Sequence, residues 1–216
     1  MKLKILYDNE PDEGFVGGWG FSCLVEIGKR KILFDTGWDG NVLLYNMGKL
    51  GIMKEEIDAI IISHAHWDHL GGITHILHPD VEVYVPNSFS KLLKKEISNR
   101  AGIIEVTGAE NIAPDVYTTG EMGGDIKEQA MVLKVNKGIV IVTGCAHPGL
   151  ENLINTARDF GELYGVIGGF HNFNNFECLK DTSLIMPCHC TRYKNELEKS
   201  FPYQYMECKT GGIIEI

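Results

Sequence analysis

Six consecutive residues, His64-Ala65-His66-Trp67-Asp68-His69, constrain this chain more tightly than any other stretch of it. They follow Ser63 and the apolar run 58–62, which reads as a buried strand. Three imidazoles and a carboxylate therefore crowd into the loop where a strand gives way to the next helix. His64 and His66 lie two residues apart and can point the same way, toward one cation, while Asp68 and His69 open the following helix and can turn toward a second. Neutral imidazole and carboxylate are donors that zinc, iron and manganese accept. The alternative is a polar loop with surface histidines, in which Asp68 caps the helix. That reading leaves unexplained a spacing that supplies donors for two ions at once. The pair Gly71-Gly72 relieves crowding where this backbone must stay close to the site.

Around the cluster, short β-branched runs alternate with amphipathic stretches, so the fold class is mixed α/β. Residues 21–27 and 31–34 read as a strand pair across Gly28-Lys29, residues 41–50 as a helix and 58–62 as a strand. After the cluster the pattern predicts a helix to about His78, a strand at 81–85 and a helix at 88–97. The second half repeats the plan, with strands at 131–135 and 138–142, a helix at 150–160, and strands at 164–167, 183–186 and 213–216. In each half a strand ends in a Thr-Gly turn, Asp35-Thr36-Gly37 or Thr143-Gly144, and a helix and a strand ending near histidine follow. These two similar halves point to weak internal duplication. No Pro-, Ser- or Gly-rich linker divides them, so residues 1–216 are expected to form a single domain, two sheets packed face to face with helices outside.

The 216 residues, 44% hydrophobic and 23% charged, suffice for one sizeable core. A net charge of -9 argues against a general nucleic-acid binder or a binder of anionic membranes, since both need an excess of Lys and Arg. No apolar run approaches the roughly 20 residues of a membrane helix, and the opening one is too short for a signal peptide. A cytoplasmic protein with a small-molecule substrate is expected, and a homo-oligomer is compatible with the sequence. In a reducing cytosol the six cysteines would remain thiols.

Further candidates share a position, the end of a strand: Asp35 after Phe34, Cys145 and His147 after Val142, His171 after Ile167, and His189 after Met186. Layered α/β proteins commonly build ligand sites there. Together with the cluster these residues supply enough donors to close two sites and leave a position for water. Asp35 is expected to orient a ligand histidine or the 63–69 loop. His171 has several readings: a ligand, a proton donor or substrate contact above the ions, or a structural residue. On an extended segment Cys188 and Cys190 would face away from the side that His189 occupies. Trp19, Trp38 and Trp67 either line a pocket or pack in the core.

Phe34-Asp35-Thr36-Gly37 followed by Ser63-His-Ala-His-Trp-Asp-His-Leu-Gly-Gly72 resembles the metallo-β-lactamase superfamily. Thr143-Gly-Cys-Ala-His-Pro-Gly149, Gly168-Gly-Phe-His171 and Pro187-Cys-His-Cys-Thr191 are similar to its branch of dihydropterin ribofuranosyl-aminobenzene-phosphate synthases. The resemblance implies a four-layer αββα sandwich and two divalent metal ions, zinc first, with iron or manganese as alternatives. It implies that His64, His66 and a third histidine hold one ion, while Asp68, His69 and a last histidine hold the other. His189 fits the last role. Residues 125–129, where the commonest pattern places the third histidine, contain none, and His147 is the substitute. Cys145 stands where most relatives carry a bridging aspartate, so the bridge is either this thiolate or hydroxide alone.

The expected function is that of a metal-dependent hydrolase acting on a small phosphorylated or cyclic-ester metabolite, in which pterin-related chemistry is one option. Asp68 and His171 are the candidate catalytic groups. A di-iron redox enzyme and a non-catalytic metabolite-binding protein are the alternatives.

Overall fold

The hairpin expected across Gly28-Lys29 lies inside a seven-stranded sheet of the computed structural model, which describes residues 1–216. The chain forms two compact units, Met1–Thr107 with Lys209–Ile216, and Gly108–Cys208.

In the first unit, β1 (Lys2–Tyr7), β2 (Ser22–Ile27) and β3 (Arg30–Phe34) are antiparallel. The helix α1 (Gly40–Lys49) then carries the chain back so that β4 (Ala59–Ile61) pairs parallel with β3. The strands β5 (Glu82–Pro86) and β6 (Gly102–Val106) extend the parallel part, and the C-terminal strand Ile213–Glu215 pairs with β1. The Asp39 carboxylate caps α1 by accepting from the Asn41 amide at 2.8 Å, as an N-cap side chain should. From α1, Leu43 and Met47, one turn apart, join Leu33, Ile60, Ile62, Ile73, Ile76 and Val83 in one buried cluster. Each such aliphatic side chain contributes about 1.5–3 kcal/mol through burial.

Between β4 and β5 the single helix predicted to His78 is instead two four-residue pieces, α2 (Trp67–Leu70) and α3 (Ile73–Ile76), broken at Gly71-Gly72. A Cβ on Gly71 would lie 2.3 Å from the Trp38 carbonyl oxygen, and one on Gly72 would lie 2.3 Å from that of Thr36. The pair thus lets the cluster backbone press against the Thr36–Trp38 turn, as its composition suggests. Farther on, α4 (Lys91–Ser98) begins later than its periodicity implies. Phe89 is buried in the turn ahead of it, and the Ser90 hydroxyl caps the helix by accepting from the Leu93 amide.

The second unit holds a six-stranded sheet in the order β12-β11-β10-β9-β8-β7. Its strands are β7 (Glu110–Ala113), β8 (Val116–Thr118), β9 (Met131–Val135), β10 (Gly138–Thr143), β11 (Leu163–Gly169) and β12 (Leu184–Cys188). The helices are α5 (Leu150–Ala157), between β10 and β11, and α6 (Lys194–Ser200). Val132, Ile139, Ile141, Leu153, Ile154, Val166 and Ile185 share its core. An antiparallel hairpin leading into parallel strands, β9-β10-β11-β12, repeats the order β2-β3-β4-β5 of the first unit, as the duplicated pattern anticipates.

Parallel pairing brings the carboxyl ends of neighbouring strands level. Phe34 pairs with Ile61, which sets Asp35 beside the loop opening at Ser63. In the second unit Thr143 pairs with Gly168 and Gly169 with Cys188, which places the segments beginning at Gly144, Phe170 and His189 side by side. No helix is long and apolar enough to cross a membrane.

Candidate metal centre

Only five residues other than glycine have φ in the left-handed region, and four are Asp35, Ala146, His171 and His189. Side chains adopt that conformation at an energetic cost, so its concentration at these strand ends marks a constrained backbone in each unit.

In the first unit the buried Asp35 carboxylate organises the histidine loop. Its Oδ1 accepts from the Ser63 amide at 2.7 Å, and its Oδ2 accepts from the Ser63 hydroxyl and from His69 Nδ1, each at 2.7 Å. The Ser63 hydroxyl has one proton and gives it to the carboxylate, so its contact with His64 Nδ1 at 2.8 Å is one in which the imidazole donates. Both His64 and His69 are thereby set as Nδ1–H tautomers, and Nε2 becomes the nitrogen that carries the lone pair. Metal-binding imidazoles are held in this way by a carboxylate behind the ring.

Three rings gather there, with centroids 4.6 Å apart for His64 and His66 and 4.3 Å for His64 and His69. An Asp68 oxygen lies 3.9 Å from His69 Nε2. Thr36 fixes the far side, donating its amide and its hydroxyl to the His69 carbonyl at 2.7 and 3.0 Å. His64 and His69 are buried, whereas His66, at the start of α2, is exposed. The donor set therefore fits divalent cations. Replacing Asp35 by Asn removes one acceptor oxygen and sets an amide against a donor. Asp35→Asn should weaken metal binding about 10–100-fold, measured by competition with a chelator; unchanged affinity would reduce Asp35 to a brace for its turn.

The second unit has a corresponding carboxylate that sequence reasoning missed. Glu128 is fully buried, and its Oε1 accepts from the Thr143 hydroxyl and from the amides of Gly144, Cys145 and Ala146 at 2.9–3.1 Å. Its Oε2 accepts from the His147 amide at 2.8 Å. One side chain thus holds the whole 143–147 segment, and the left-handed Ala146 lets successive amides converge on it. Both oxygens serve the backbone, so Glu128 shapes the loop that presents Cys145 and His147.

The His171 ring lies 5.1 Å from that of His147, and its Nδ1 is 3.1 Å from Asn172 Nδ2. The two histidines line a cavity of about 280 Å³ together with Glu151, Asn172 and Asn175. His189 is buried, and its ligand nitrogen lies within 4.8 Å of the thiols of Cys145 and Cys190, which are themselves within that distance of each other. Cys190 therefore does not face away from His189. With His189 at φ 45° the segment is not extended, and the alternation assumed for it fails. Cys188 does turn aside, its thiol 3.3 Å from the Met186 carbonyl oxygen. Trp19, Trp38 and Trp67 are 56%, 51% and 57% exposed, which removes the core-packing alternative for all three.

The family model described as the metallo-beta-lactamase superfamily matches residues 18–142. Protein MJ0448 of Methanocaldococcus jannaschii is 27% identical, with 99% of this chain and 100% of that protein covered. The 7,8-dihydropterin-6-methyl-4-(beta-D-ribofuranosyl)-aminobenzene-5'-phosphate synthase of the same organism is 26% identical over 91% of this chain and 89% of its own. Among solved structures, Tm1679, a metal-dependent hydrolase of the beta-lactamase superfamily, superposes with a TM-score of 0.84 and 26% identity, with 100% of this chain and 99% of that one covered.

Proposed function

The chain belongs to the metallo-beta-lactamase superfamily, and on that premise we propose that it hydrolyses a small phosphorylated or cyclic-ester metabolite at a dinuclear metal centre. One ion is assigned to His64, His66 and His147, the other to Asp68, His69 and His189. The observation that carries this reading is the hydrogen-bonded chain through Asp35 and Ser63, which turns the lone pairs of two histidines to one side. Zinc is the leading ion, since imidazole, carboxylate and thiol donors all suit it.

Divalent ions bound there supply positive charge that acidifies a water and polarises the scissile bond. Asp68, on the first turn of α2, aligns the attacking water and accepts its proton. His171 donates a proton to the departing oxygen, a role suited to an exposed ring beside His147 in the cavity wall. The chain's similarity to a synthase named for a dihydropterin phosphate supports a pterin-related substrate. The net charge of -9 favours a small metabolite over a polynucleotide, and a reducing cytoplasm suits a site edged with thiols.

The test is a turnover panel on metal-loaded protein with phosphodiesters, phosphomonoesters, lactones, thioesters and pterin precursors side by side. Hydrolysis of a phosphoester or cyclic ester that a chelator abolishes is the expected result. Oxygen consumption by the iron-loaded protein, or tight metabolite binding with no product anywhere in the panel, would overturn it.

A further inference from the structure

Cys190 was expected to point away from the site and does not. The left-handed backbone at His189 turns the chain, and the Cys190 and Cys145 sulfur atoms come to 3.2 Å. Two arrangements permit this approach. Gly169 lies under the pair, where a Cβ would fall 2.7 Å from the Cys190 sulfur and 2.3 Å from the Gly144 carbonyl oxygen, so no larger residue fits. The segments on either side are also fixed. Glu128 binds the Cys145 amide at 2.9 Å, and the Thr191 hydroxyl donates to the Cys188 carbonyl at 2.7 Å while accepting from the Phe170 amide at 2.9 Å. Cys145 and His189 are each only 3% exposed.

We infer that Cys145, His189 and Cys190 form a thiolate-rich cation position in which Cys190 is a direct ligand, and that this position takes zinc, cobalt or iron(II) in preference to magnesium or manganese. The inference rests on the proposed function only in sharing His189: the ion assigned there gains two sulfur donors. Two neighbouring thiolates on one zinc, with bonds of about 2.3 Å and an angle of about 90–110° between them, stand about 3.3–3.8 Å apart. The sulfur atoms at 3.2 Å need to open by at most about half an ångström to reach that spacing. All three ligand atoms already lie within 4.8 Å of one another. Binding releases one proton from each thiol to solvent and forms two metal–sulfur bonds, with no change of oxidation state. Sulfur donors favour the softer ions, whereas magnesium and manganese favour oxygen.

The experiment is cobalt(II) titration of the whole metal-free protein under reductant, read by the near-ultraviolet absorption of a thiolate-to-cobalt transition. Wild-type protein should develop that absorption. Cys190→Ser should lose about half of it, Cys145→Ser with Cys190→Ser all of it, and His64→Ala little. Excess magnesium should leave it in place. Cobalt binding without the absorption, or full intensity in Cys190→Ser, would overturn the inference.

If the serine variants fail to fold, wild-type protein suffices. Bound zinc should shield Cys190, the more accessible of the two thiols, from alkylation, and chelation should restore its reaction. Cys178 is the internal control, because burial, then the Glu151 charge, raise its thiol to about 11 and keep it slow to react in either state. Equal alkylation of Cys190 with and without zinc, or a Cys145–Cys190 disulfide in the zinc-loaded protein, would also overturn it. A cobalt–sulfur absorption without turnover of any ester sinks the hydrolase reading alone, and turnover without the absorption sinks this inference alone.

Discussion

Glu128→Ala should lower the stability of the protein by at least about 3 kcal/mol, because each buried donor left unsatisfied costs about 1–3 kcal/mol. Five donors lose this acceptor at once, the Thr143 hydroxyl and the amides of residues 144–147, and the Ala146 amide keeps a second one in the Thr143 hydroxyl oxygen at 3.1 Å. Water entering the vacated space can satisfy some of them, which is why the expected loss is smaller than five full penalties. In a protein of this length that loss lowers the thermal midpoint by roughly 10 °C. Glu128→Gln is the informative partner. Its amide keeps Oε1 for four of the donors and sets an N–H group against the His147 amide, so about 1–2 kcal/mol should be lost. Urea denaturation of both variants measures the difference. An alanine variant as stable as wild type would mean that solvent already reaches the loop.

His66→Ala separates the chemistry from the fold. His66 is exposed at the start of α2 and takes no part in the Asp35 network, so its removal should change stability by less than about 0.5 kcal/mol. As a proposed ligand, however, it should cost most of the bound metal at one position and reduce turnover by at least about 1,000-fold, or roughly 4 kcal/mol of barrier. His69→Ala should lose as much activity and also some stability, because Asp35 then keeps a buried oxygen with one donor fewer. Metal analysis, turnover and a denaturation curve on the same preparations distinguish the two. Wild-type metal content and turnover in His66→Ala would remove His66 from the site.

How much of this was legible in the sequence depended on the range of the interaction. The cluster from His64 to His69 and the strand ends at Asp35, Cys145, His171 and His189 could be read because strand, turn and spacing are local properties. The hairpin at Gly28-Lys29 and the repeated strand order were legible for the same reason. Glu128 was invisible, since its partners lie 15 to 19 residues ahead and nothing beside it marks it as a loop anchor. Pairing of β1 with the C-terminal strand joins Leu3 to Ile214, a contact no local pattern announces. The helix drawn to His78 failed at Gly71-Gly72, where tertiary contact with Thr36 and Trp38 decides the backbone. Cys190 departs from the alternation because alternation assumes an extended chain, and His189 is left-handed.

The proposed function depends on where metal ions bind. Anomalous diffraction at the zinc edge, from crystals of zinc-loaded protein, locates them without reference to any activity. Two peaks should appear, one in contact with His64 Nε2, His66 and His147, the other with Asp68, His69 and His189. A single peak, or peaks that leave out His64 and His69, would contradict the assignment.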